Sequence, residues 1–461
     1  MNRDSYFTLV HVLNISIMKT NFLNYLLLFF TTAVFSQAGH IMQGVGAVNM
    51  SMGGASTAQP LDISGAIQWN PAALSTFDKK IMKLDVGLFF SSPELFSTVP
   101  TPNGPFSGNT KDDRGMSPMP ALAMVWGNES SKHTFGVSAF GISGFGVTFP
   151  ESMSNPINMP QNMRGFGHIE SDYILLQVGL SYAYKLSNKF SIGIQPNINY
   201  ATLELAPNPL ASPDFPPEMG GTGKGYPTSD KASAIGYGAQ FGLFFDSGMG
   251  LKLGASYKTA QKFSEFEFSN TYLDGSQAPD AQFQMDYPAI MSIGLGYSEG
   301  NIDLALDFRR VMYEETEGFK TSGWQFASNG FPTGSVNGFG WKNISILSAG
   351  LQYKGINKLP LRFGYTYSSN PIPKELVFFN IPATAIIKDA YQFGLSYEIN
   401  DTWKLDAVYH YGDSGDATSG NILDLAQISP NNLLGAVPGS EVSYEMTTSM
   451  IQFGISYTFN K

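Results

Sequence analysis

Cysteine is absent from the 461 residues, which removes disulfides, thiolate chemistry and a lipidated N-terminal cysteine together. Charge is scarce as well. Only 14% of the residues are Asp, Glu, Lys or Arg, against about 25% in an average soluble chain, so part of the surface is made to face something other than water. The charge that exists is mostly acidic, 37 Asp and Glu against 27 Lys and Arg, and no basic cluster stands ready to neutralise phosphates, which excludes nucleic acid as a partner. After residue 36 no apolar run approaches the ~20 residues that a membrane helix needs. If such a chain spans a membrane, it does so as a β-barrel. Five histidines are too few and too scattered for a metal site, and neither a phosphate-binding loop nor a dinucleotide fingerprint occurs. No metal, no cofactor and no enzymatic activity are therefore expected. His410, at an inward strand position, alone keeps a wall-mounted hydrolase in view.

What the chain does have is alternation. Residues 1–36 read as a signal peptide, with Met18-Lys19 as its charged start, Leu23 to Val34 as its apolar region and residues 1–17 as an overread of the start site. From residue 81 to 461, segments of about ten residues place apolar side chains on one face and small or polar ones on the other. In Leu361 to Ser368 the Leu, Phe, Tyr and Tyr oppose Arg362, Gly364, Thr366 and Ser368, and Tyr391 to Glu398 and Ile451 to Phe459 repeat the form. One face suits lipid and the other a polar lumen. Counting such segments predicts about fourteen strands, starting near Ile81, Pro120, His133, Asp172, Phe190, Ile235, Gly250, Pro288, Asn301, Ile344, Leu359, Ala390, Trp403 and Met446. Short and long connections alternate between them, as in an antiparallel transmembrane β-barrel of the Gram-negative outer membrane. A large soluble β-sandwich is the competing fold, and it would use strands of five or six residues and mixed turn lengths. Aromatic residues at strand ends (Trp126, Tyr200, Tyr257, Tyr297, Trp341, Tyr411) are expected to form interfacial girdles.

Residues 37–80 fit neither period. The stretch Gly44 to Leu74 is rich in small residues and ends in Trp69-Asn70-Pro71-Ala72-Ala73-Leu74, which reads either as a linker or as a plug packed inside a barrel too wide to fill itself. The third strand carries Gly141, Gly144 and Gly146. Such glycines mark a bulge, a bend or a lead into the next loop.

Gly46-Ala47, Gly53-Gly54-Ala55, Asp62 and Asn70-Pro71-Ala72 resemble the N-terminal hatch of the FadL family of outer-membrane transporters for long-chain fatty acids and other hydrophobic compounds. The stretch from Trp341 to Asp406 is similar to that family's late strands. The resemblance implies a hatch inside the lumen and an inward kink of the third strand at Gly141, Gly144 and Gly146, with Asn70, Pro71 and Ala72 as the gate lying against the resulting wall opening. It implies ligand-gated passive diffusion of a fatty acid or similar hydrophobic molecule, leaving sideways through that opening. Lys342 matches the family's carboxylate-binding lysine, whereas Thr202 stands where the family has an arginine. Phe215 and Met219 of the third long loop, with Phe266 and Phe268 of the fourth, are expected to form an exposed greasy groove that captures the ligand. The protein is expected to be a monomer among outer-membrane lipid and lipopolysaccharide. Uptake of aromatic hydrocarbons, or a platform for a protein partner like the shuttle of type IX secretion, are the alternatives. The chain departs from the family's terminal aromatic by adding Asn460-Lys461 after Phe459.

Overall fold

The computed structural model describes residues 39–459; the expected signal peptide, Gln37, Ala38 and the terminal Asn460-Lys461 lie outside the described residues. Among the described residues fourteen long strands build one closed wall: β1 (Lys80–Val99), β2 (Met116–Trp126), β3 (His133–Phe149), β4 (Ile169–Lys185), β5 (Phe190–Ala206), β6 (Ala232–Asp246), β7 (Leu251–Lys258), β8 (Ala289–Glu299), β9 (Ile302–Met312), β10 (Ile344–Tyr353), β11 (Leu361–Ser368), β12 (Asp389–Glu398), β13 (Trp403–Asp413) and β14 (Glu441–Thr458). Each pairs antiparallel with the next, and β14 returns to β1 from Ile81↔Thr458 to Thr98↔Glu441, so the wall closes on itself. Closure gives the strands backbone neighbours on both sides, as a hydrocarbon environment requires, except along the outer half of β3.

The expected faces are the observed ones. In β11 Arg362, Gly364, Thr366 and Ser368 are buried toward the lumen while Phe363 points outward. Val178, Leu180, Ile194, Ile198, Phe393, Phe453 and Ile455 likewise stand on the outer surface. Six connections of a few residues close one end, and seven long ones, beginning at residues 100, 150, 207, 259, 313, 369 and 414, crown the other. Trp126, Tyr200, Tyr257, Tyr297 and Tyr411 are exposed on the wall as girdle residues should be, but Trp341 is not one of them. It is 1% exposed and lies inside an aromatic cluster.

Residues 39–79 form the hatch inside this wall. Two short helices, α1 (Ala47–Ser51) and α2 (Ile63–Trp69), are followed by the 3-10 turn Pro71–Thr76. Helices of five and seven residues have no independent stability, so the wall must hold them. Asp62 caps α2 by accepting from Gly65 N at 3.0 Å, and nearly every residue from Ile41 to Ser75 is buried.

Candidate functional site

The third strand breaks where its glycines lie. Along β3 the register against β4 slips between Gly141 and Ser143, leaving Ile142 as a bulge. Its ladder with β2 runs only from Phe135↔Trp126 to Phe140↔Ala121, although Met116 to Pro120 of β2 stay paired with β1. The outer half of β3 has therefore parted from the neighbouring strand. Gly146 allows Arg114 of the first long loop to cross it: a Cβ there would collide with the guanidinium. Arg114 Nη1 donates to Ser171 O at 2.6 Å and Nη2 pairs with Asp172, which Lys231 Nζ also reaches at 2.7 Å. Above the gap Asp113 N donates to Thr148 O at 2.8 Å, and Asp112 accepts from Thr148 N. Burial raises the Asp112 carboxyl above the usual range, against the lowering effect of that bond.

The gap is filled by the start of the hatch. Ile41 lies opposite Ser143 in an antiparallel bridge, with Met42 N donating to Ile142 O at 3.0 Å and Gly144 N donating to His40 O at 3.2 Å. Ser143 Oγ adds a bond to His40 O at 2.9 Å. His40–Met42 thus acts as a short surrogate strand on the free edge of β3. Beside it lies a cavity of ≈120 Å³. It is walled by Met42, Met119 and Met450, by Phe145 and Tyr173, and by Ile174, whose side chain is 45% exposed on the outer surface. The cavity therefore touches both the hatch and the lipid-facing wall. Among its described lining residues Arg114 alone carries a full charge.

His40 itself is inserted into a box of rings. Its imidazole stacks on Phe319 with centroids 5.0 Å apart and is ringed by Trp341 at 5.6 Å, Tyr173 and Tyr287 at 5.9 Å and Phe145 at 6.4 Å. Its Nδ1 lies 2.9 Å from Tyr313 Oη. Ring packing of this kind adds to area burial, and it anchors the first residues of the hatch.

Charged wall residues fasten the rest. Asp307 of β9 accepts from Ser56 N at 2.8 Å, Thr57 N at 2.9 Å and Thr57 Oγ1 at 2.7 Å. Arg309 pairs with Asp307 at 2.7 Å, donates to Gly54 O at 2.6 Å and lies 3.7 Å from the centre of the Trp69 ring. Asp85 of β1 accepts from Ala47 N at 2.8 Å. Lys83 joins Asp62, Asp85 and Asp406 at 2.6, 3.6 and 3.1 Å. Lys83, Asp85, Asp307 and Arg309 thus fasten the hatch, while Lys258, Asp303 and Arg362 bond to other side chains of the wall.

Gly141 borders the register slip of β3, and Gly144 and Gly146 lie on the half that has parted from β2. Asn70, Pro71 and Ala72 do not lie against it, which corrects the expected contact. They pack on Gly193 of β5 and Gly242 of β6, where side chains would strike them, and Asn70 Nδ2 donates to Thr57 O at 2.8 Å and Leu243 O at 2.9 Å. A capping asparagine with two carbonyl partners ties hatch to wall. His40 to Met42 occupy the place expected for the gate. Lys342 is exposed rather than part of the cavity, its backbone N–H bonded to Pro371 O at 2.8 Å, and its neighbour Trp341 is the buried one. The greasy groove is also corrected: Phe266 and Phe268 are 0% and 1% exposed within the core under the fourth loop, Phe215 is half-buried and only Met219 stands out at the surface. His410 is buried, its Nδ1 3.1 Å from Gln392 Nε2.

Two parts of the site escaped the sequence reading. Lys83 shares a face with Asp85 at the strand period of two, a signal that was present. His40 lies before any strand, and nothing local announces the six rings that converge on it from β3, β4 and the fourth and fifth long loops.

The family described as outer membrane protein transport protein (OMPP1/FadL/TodX) matches residues 28–460. No curated protein matches the chain in sequence. Among solved structures, that of the P. putida toluene transporter TodX is similar at 18% identity and a TM-score of 0.66, covering 91% of this chain and 99% of that one. A Pseudomonas aeruginosa FadL homologue is similar at 14% identity and a TM-score of 0.70, covering 92% and 100%. The Ralstonia pickettii toluene transporter TbuX gives 16% and 0.60, covering 91% and 99%. At these identities the likeness establishes the fold.

Proposed function

Because the chain belongs to the outer membrane protein transport protein family (OMPP1/FadL/TodX) and is a closed fourteen-stranded barrel of the outer membrane, we propose that it carries small hydrophobic molecules inward by gated passive diffusion, with a lateral exit at the kink of β3. The observation that carries this reading is the parted edge of β3, closed by the backbone of His40–Met42 and opening beside a cavity that reaches the lipid-facing wall. A lateral route suits such cargo, since the lumen below is lined with the charged fastening of the hatch, and an apolar molecule gains nothing from that surface. The gate is the His40–Met42 segment; Asn70, Pro71 and Ala72 are its anchor. The barrel acts as a monomer among lipid and lipopolysaccharide.

Fatty acids and aromatic hydrocarbons both fall in the cargo class. One observation favours neutral cargo: the charged residue lining the cavity, Arg114, is already paired with Asp172, and Lys342 lies on the surface. Cells lacking their own transporter, expressing this protein, should take up labelled toluene above background, and labelled oleate to a lesser extent. Background uptake of both, with folded barrel present in the outer membrane, would contradict the transport reading.

A further inference from the structure

Above the pair Phe140↔Ala121, Met116 to Pro120 of β2 keep their ladder with β1 and Ser143 to Phe149 of β3 keep theirs with β4, but among the described residues no rung joins β2 to β3. The separation of two such edges is set by whatever spans them, since few backbone bonds resist their opening. What spans them is the end of the first long loop, just ahead of β2. Asp112 N donates to Pro93 O of β1 at 3.0 Å, and Asp113 N donates to Thr148 O of β3 at 2.8 Å. The Asp112 carboxylate accepts from the N–H groups of Thr148 and Arg114. The loop is thus fixed to β1 on one side and to the end of β3 on the other. From it the Arg114 side chain reaches one strand further, to β4.

The pleat decides where that side chain runs. Phe145 and Val147 are buried toward the lumen, so Gly146 between them faces outward, as does Asp172 directly opposite it on β4. The guanidinium, which a Cβ on Gly146 would strike, therefore lies across the outer face of β3. Its Nη1 donates to Ser171 O at 2.6 Å and its Nη2 pairs with Asp172, and an arginine fork held at both nitrogens is directional as well as charged. Lys231 Nζ, 2.7 Å from Asp172 and 3.4 Å from Glu204, completes a group of two cations and two carboxylates. The charges balance within the group, so Arg114 offers a passing molecule no free charge. Its effect on the gap is mechanical. The element that closes the gap is a single extended segment, His40–Met42, and the slot for one strand is about 4.8 Å wide. A flat aromatic ring, about 3.5–4 Å thick at van der Waals contact, fits such a slot on edge. A saturated cage several carbon layers deep does not. We propose that Arg114 is a specificity-determining residue: by tying the β2 side of the gap to β4 it fixes the width of the opening, passing flat rings and holding back globular hydrocarbons. The inference rests on the transport reading, which makes this gap the exit.

The test compares deuterated toluene with deuterated adamantane, one flat and one globular and both without polar atoms, in cells lacking their own transporter. Arg114→Ala should raise the adamantane-to-toluene uptake ratio at least threefold over the wild type. Arg114→Lys, which keeps the charge but not the fork, should fall between the two. If Arg114→Ala does not reach the membrane folded, Asp172→Asn cuts the same tie from β4 and should raise the ratio at least twofold. The tie is also read without transport, by nitroxides on the purified barrel carrying Met116→Cys and Ile174→Cys, two outward positions flanking the gap. Their distance distribution should broaden or lengthen when Arg114→Ala is added. An unchanged distribution would overturn the proposal, and toluene uptake with an unchanged ratio would overturn it while leaving transport in place. Uptake of neither compound by the wild type would overturn the transport reading and the selectivity with it.

Discussion

Lys83 Nζ, on the barrel wall, lies 2.6 Å from Asp62 Oδ2, the carboxylate that caps α2 of the hatch, and both side chains are almost fully buried. The same ammonium is 3.1 Å from Asp406 on β13. One cation thus joins the hatch to β1 and to β13, the two strands that flank β14. Lys83→Met leaves three buried carboxylates without their shared countercharge, and breaking a buried pair this way costs about 3–5 kcal/mol. Thermal unfolding in detergent should begin with the hatch, seen as protease cleavage within residues 44–76 at temperatures where the wild-type hatch is protected. A hatch equally resistant in the variant would contradict this.

Asp307 fastens the middle of the hatch through three bonds to Ser56 and Thr57. Asp307→Asn keeps the shape but leaves Arg309 buried without its carboxylate. Charged hydrogen bonds of this kind contribute about 1.5–3 kcal/mol each, so amide exchange at Ser56 and Thr57 should accelerate by at least tenfold. Protection unchanged at these two amides would show that the fastening lies elsewhere.

Lys342 is exposed on the loop side, away from the cavity at the wall gap. Surface lysines without a buried partner change stability by at most a few tenths of a kcal/mol. Lys342→Met should alter uptake of oleate and of toluene by less than twofold. A selective loss of oleate uptake would restore the carboxylate-binding role that the resemblance implied.

The barrel was legible because its period is strict and repeated. Each of the fourteen expected strand starts falls within six residues of an observed one, since lipid on one face and a polar lumen on the other force the alternation of residues such as Phe363 and Thr366. The break in β3 was expected from the resemblance rather than from its glycines, which alone also fit a lead into the next loop and which occur elsewhere in unbroken ladders, as at Gly193 and Gly364. What could not be read was the hatch's contacts. Asn70 is a cap with spare donors, and its sequence does not say whether Leu243 or the kinked strand receives them. His40 pairs with β3 through its backbone, so the gating segment is chosen by an edge that exists only once β3 has left β2. Phe266 and Phe268 alternate with Glu267 as a half-buried strand would, and the groove reading overlooked that a loop of this length can fold its own hairpin over its apolar face.

The claim that His40–Met42 is the shutter of the wall gap is tested most directly by locking it. Ile41 and Ser143 face each other as a non-hydrogen-bonded antiparallel pair, flanked by the bonds Met42 N to Ile142 O and Gly144 N to His40 O. Such pairs have Cα atoms about 4.5 Å apart, within the reach of a disulfide. With no native cysteine to interfere, the double variant Ile41→Cys, Ser143→Cys can be oxidised in place. Oxidised protein should take up toluene at background and regain at least half of the wild-type rate on reduction, with each single variant active throughout. Uptake that is the same in the oxidised and reduced states, with the disulfide confirmed by mass, would contradict the account.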